Sequence, residues 1–142
     1  MPYVLLLGRI LFSAIFVLSG INHFSSQMIG YAQAEGVPLA NFLVPASGVL
    51  AILGGLSIAT GYYARWGAWA IALFLLPVTF MMHDFWNLTG MEAQIQQIMF
   101  LKNLSMLGGA FVISYFGSGP KSIRREGDID VVVYEQHYQV AS

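Results

Sequence analysis

The residues able to do chemistry in this chain are few and mostly come in adjacent pairs. His23 follows Asn22, His83 precedes Asp84, and Lys102 precedes Asn103. Imidazole changes its protonation between about pH 5 and 8. Lysine and asparagine donate hydrogen bonds, and a carboxylate orients an imidazole ring. His23, His83, Asp84, Lys102 and Asn103 therefore supply the parts for proton exchange at a ligand oxygen. Two further readings rest on the same residues. Burying Asp84 or Lys102 alone is expensive, so an ion pair between them can also be a structural clasp. His23, His83, Asp84 and Glu35 are acceptable ligand types for zinc or iron, but neighbours such as His83 and Asp84 diverge on a helix, so no metal site is assigned.

The chain has no cysteine. A disulfide framework, thiolate metal ligands and dithiol catalysis are excluded, so redox chemistry here must use a bound cofactor or a partner. There is no phosphate-cradling glycine loop, serine nucleophile motif or haem attachment sequence. The net charge of −1 offers no basic excess for nucleic acid.

The elements that must position these residues follow from the scarcity of charge. Of 142 residues 57% are hydrophobic and 9% charged, against roughly 25% charged in soluble domains. The first 117 residues carry only Arg9, Glu35, Arg65, Asp84, Glu92 and Lys102. The uncharged stretches 10–34, 36–64, 66–83 and 103–120 each approach or exceed the roughly 18–20 residues of a membrane-crossing helix. The expected fold is all-α: a polytopic membrane protein, a bundle of four transmembrane helices surrounded by lipid. The helices are expected over about Tyr3–Phe24, Leu39–Tyr63, Trp66–Trp86 and from the Asn87–Glu92 turn to near Gly117. Arg9 before an apolar run imitates a signal peptide, but Asn22-His23 is no small-residue cleavage pattern, so the first span is expected to be retained. Residues 1–123 read as the membrane domain and 124–142 as a polar cytoplasmic tail, with one strand-like run at Val131–Tyr134.

Lys and Arg favour the cytoplasmic side. Arg65 lies between the second and third spans, and Lys121, Arg124 and Arg125 follow the fourth, which predicts both termini cytoplasmic. His23, His83 and Asp84 then share the outer side, with Lys102 expected one or two turns into the fourth span. Trp66 and Trp69 mark the inner boundary and Trp86 the outer one. Gly48, Ala51, Gly55 and Ala59 line one face of the second span, for close helix approach, and Pro45 and Pro77 are expected to bend their helices. Arg9 sits about 21 Å from His23 along the first span. It reads as an inner-leaflet anchor, snorkelling to phosphate or meeting the acidic tail; Arg9, Ser13, Gly20 and His23 also share a band that would make a polar interior seam.

At these residues the chain resembles the DoxX family of small bacterial membrane proteins. The matching pieces are Gly8-Arg9, Ser19-Gly20 and His23-Phe24, then Gly54-Gly55, Gly61 and Arg65, then His83-Asp84-Phe85-Trp86, then Lys102-Asn103 and Leu107-Gly108-Gly109, closing with the turn from Gly117 to Ser122. The resemblance covers roughly residues 4–123. It implies a four-helix bundle of the bacterial inner membrane, related to proteins linked to sulfur oxidation, quinone reduction and membrane oxidoreductase complexes. Family members often carry an acidic residue three positions before the paired glycines, where this chain has Ala51. The resulting expectation is a redox-associated subunit binding a quinone or similar small ligand at the outer ends of the first, third and fourth spans. His83 and His23 exchange protons, Lys102 and Asn103 donate hydrogen bonds, Asp84 orients and Trp86 is a packing wall. A redox enzyme partner supplies electrons, lipids surround the bundle, and the oligomeric state is left open. The competing expectation is a non-catalytic scaffold or small transporter component held by the Asp84–Lys102 clasp.

Overall fold

The structure, a computed structural model, describes residues 2–123; the tail and its strand-like run lie outside the described residues. Five helices follow one another: α1 (Pro2–Asn22), α2 (Ser26–Ala34), α3 (Ala40–Thr60), α4 (Ala64–Met82) and α5 (Gly90–Phe116), with a single 3-10 turn at Phe85–Asn87 between α4 and α5. Four of them, α1, α3, α4 (extended through the 3-10 turn) and α5, are long and apolar enough to cross a membrane. Large side chains such as Leu11, Leu18, Leu53 and Val112 point outward. In lipid that exposure is favourable, because the bilayer is the apolar solvent.

The four spans pack in the order α1 on α3, α3 on α4, α4 on α5. Glycine sets two of these approaches. A Cβ on Gly48 would lie 2.7 Å from the Gly20 carbonyl oxygen, and one on Gly54 would lie 2.9 Å from that of Gly67. Of the α3 stripe, Gly48 and Gly55 both meet the α1 side, while Gly54, outside the stripe, meets α4. Phe12 of α1 lies over Gly109 of α5 and brings the last helix back to the first. Below and around it lies one dry core of Phe16, Ala51, Ile58, Ala68, Ile71, Phe74, Leu75, Leu107 and Ala110.

Three expectations about the elements are corrected. The link between the first two spans contains a helix, α2. Ser25 caps it, its hydroxyl accepting from Met28 N–H at 3.2 Å, and Gly36 at φ +78° ends it. Met28, Ile29 and Ala32 fall at helical spacing on one face and pack with Ala40, Val44 and Met82, while Gln33 Nε2 donates to Asn41 Oδ1 at 3.2 Å. The α-helix of the third span stops at Met82 rather than Trp86, and the span continues through the 3-10 turn. Beyond Met82, at the 3-10 turn, the Asn87 amide donates to the Asp84 carboxylate at 2.8 Å. The fourth span begins at Gly90, so Lys102 lies more than three turns in, about 18 Å from the helix start, rather than one or two.

Candidate functional site

The α2 end of the bundle opens into a cavity of about 660 Å³. Its floor is the level of Ile15, Leu50, Leu73 and Met106, its roof is Met28, Tyr31 and Ala32 of α2, and its walls come from all four spans. The size suits a small-molecule ligand, and the lining is mostly apolar with a few polar groups, the pattern of ligand pockets in general. Pro77 lines it. Lacking an N–H, Pro77 cannot donate to the Leu73 carbonyl one turn back.

Four of the sequence-derived residues meet at this cavity: His23, His83, Lys102 and Asn103. His23 is 8% exposed, held by Nδ1 bonded to the Ser19 carbonyl oxygen at 2.7 Å and by an edge-on contact with Phe74, ring centroids 5.5 Å apart. Asn103 is 5% exposed, and its amide makes no hydrogen bond among the described residues. A buried amide with no protein partner, set in a cavity wall, is available to a ligand. Lys102 stands at the exposed edge, its Nζ 3.2 Å from Met99 Sδ.

Asp84 and Trp86 do not join them. Asp84 is bound to Asn87, and Trp86, 54% exposed, stacks edge-on with Phe85 and Phe100. The helix break at His83 turns both away from the cavity, and no ion pair joins Asp84 to Lys102 among the described residues. The orienting role expected of Asp84 falls to Gln96, whose Oε1 lies 2.7 Å from His83 Nδ1. Gln96 and Glu35 also flank the Tyr31 hydroxyl, which burial first, and then the Glu35 charge, hold above its ordinary dissociation value. Tyr31 and Gln96 escaped the sequence reading. The capped, periodic run after Ser25 was the signal that would have revealed Tyr31; Gln96 has none, since it acts through a contact 13 residues back.

Arg9 lies at the other end. It is 5% exposed, donating to the carbonyl oxygens of Ser118 and Lys121 and to Ser122 Oγ. It therefore occupies the polar interior seam and does not snorkel to lipid. Its anchoring is internal: it ties the turn after α5 beneath the α3–α4 connection, where Ile123 N–H also bonds the Thr60 carbonyl at 3.1 Å. The Arg9 Nε and Ser13 Oγ are buried without a partner among the described residues.

No solved structure matches the chain. Two curated relatives do, both from Escherichia coli (strain K12). The inner membrane protein YqjF is 32% identical over 84% of this chain and 88% of its own. The inner membrane protein YphA is 26% identical over 87% and 90%. The model of the DoxX family matches residues 4–84. With four membrane-capable helices and these relatives, the chain is a multi-pass inner-membrane protein and belongs to the DoxX family.

Proposed function

We propose that this protein is a redox-associated membrane subunit whose cavity holds a quinone or a similar small, largely apolar ligand, both termini lying in the cytoplasm and the cavity opening toward the outer side. One observation carries the reading: an apolar cavity of about 660 Å³ with two histidines, a lysine and a buried, unpartnered asparagine amide in its wall. A ring bearing two oxygens needs flat apolar walls for its body and a few polar groups for its edge. Phe74, Met81, Val44 and Leu50 provide the first. Asn103 and Lys102 donate to a carbonyl oxygen, and His23 and His83 bring imidazole, the side chain suited to proton exchange around neutral pH. The chain has no cysteine and so no thiol couple of its own; in this reading a partner supplies the electrons.

The test is titration of the purified protein with a short-chain ubiquinone or menaquinone analogue. Wild type should saturate. Asn103→Leu and Lys102→Met should each weaken binding about tenfold, the loss of roughly one hydrogen bond to a buried or charged group. Absence of binding, or binding indifferent to both changes, removes the quinone reading.

A further inference from the structure

The surroundings of the two cavity histidines dictate where their protons sit. The Ser19 carbonyl oxygen only accepts, so its 2.7 Å bond to His23 Nδ1 puts the proton on Nδ1. His83 is fixed by Gln96, whose amide oxygen faces its Nδ1 at 2.7 Å; an amide oxygen only accepts. His83 also carries its proton on Nδ1. A neutral imidazole with its proton on Nδ1 presents Nε2 as a lone-pair acceptor. Both rings line the cavity, and among the described residues neither Nε2 has a partner.

Resting on the quinone-class reading, we infer that the cavity is built for a ligand that donates hydrogen bonds. A dihydroxy aromatic, the hydroquinone form, binds in preference to the corresponding quinone, its hydroxyls donating to Nε2 of His23 or His83. Gln96, outside the cavity wall, is the positioning residue that sets the His83 tautomer. A quinone offers only acceptors to these two nitrogens and leaves each cavity-facing lone pair unmatched, and such mismatches are costlier than a hydrogen bond never built. The Asn103 amide, donor and acceptor at once, accommodates either form and does not reverse the preference.

The experiment compares a short-chain hydroquinone kept reduced without oxygen, its quinone and its dimethyl ether, titrated into full-length protein in lipid nanodiscs. In parallel, ¹⁵N NMR of histidine-labelled protein in a His137→Ala background reads the tautomers, with His83→Ala assigning the signals. Hydroquinone should bind at least about tenfold tighter than the other two, the worth of one well-matched hydrogen bond, and both histidines should show protonated Nδ1. Gln96→Leu should abolish the Nδ1–H signature of His83 and shrink the preference, while Gln96→Glu, which keeps an acceptor oxygen there, should retain the signature. Quinone binding as tight as hydroquinone, or protonated Nε2 on both rings, overturns this inference and leaves the quinone site standing. If none of the three ligands binds, the quinone reading falls and takes the inference with it.

Discussion

Arg9 brings a full positive charge into the bundle, and among the described residues it meets neutral oxygens rather than a carboxylate. The planar guanidinium makes this workable, because its fork serves several acceptors at once. Lysine at the same site keeps the charge but is a compact point donor. Arg9→Lys should therefore lower stability by about 1.5–3 kcal/mol, the worth of one hydrogen bond to a charged group, read as an earlier unfolding midpoint in detergent; an unchanged midpoint would show that the clasp of the C-terminal turn is idle. The band of Arg9, Ser13, Gly20 and His23 was visible in the sequence as a polar seam. What Arg9 grasps was not, because Ser118 lies 109 positions away. The same division holds at the cavity. His23, His83, Lys102 and Asn103 were legible from residue type and helix direction. Asp84 and Trp86 lie off the cavity because the helix ends at Met82, before both of them.

At the scale of elements, the spans were legible because charge marks their limits, whereas α2 was hidden inside the uncharged stretch 10–34. Its capping serine and the spacing of Met28, Ile29 and Ala32 were present but were outweighed by the reading of that stretch as span plus link. α2 roofs the cavity, and its Tyr31 hydroxyl dissociates above the ordinary tyrosine value of about 10. Folding that raises the dissociation of a neutral acid contributes stability intact below that ordinary value and lost as pH rises beyond it. α2 should loosen in that alkaline window. A thiol reagent can follow this cleanly, since the chain has no cysteine of its own. Ala32→Cys, buried under α2, should label faster above about pH 10 than the exposed reference Gln27→Cys, and adding Tyr31→Phe should remove the step. If the step persists in the Tyr31→Phe background, Tyr31 does not hold the helix down.

Across the whole molecule, the number of spans followed from six charges in 117 residues, but which half of the bundle stays open did not. That depends on Phe12 meeting Gly109, on the small residues between α1, α3 and α4, and on α2 packing against Ala40, Val44 and Met82, all contacts between distant segments. Because the core closes the half opposite α2, liposomes containing the protein should hold an imposed pH gradient as long as protein-free ones do. A leak that grows with protein content would contradict the sealed core.

This closed half has an electrical consequence. A low-dielectric plug in series with a water-accessible well carries most of the membrane potential, which for a full crossing amounts to about 2.3 kcal/mol per elementary charge per 100 mV. Charge placed at His83 near the mouth crosses only a small fraction of that drop. His23 and Asn103, set deeper in the same well, feel a larger share, and the energised state of the membrane acts more strongly on charge placed beside them than on charge at the rim.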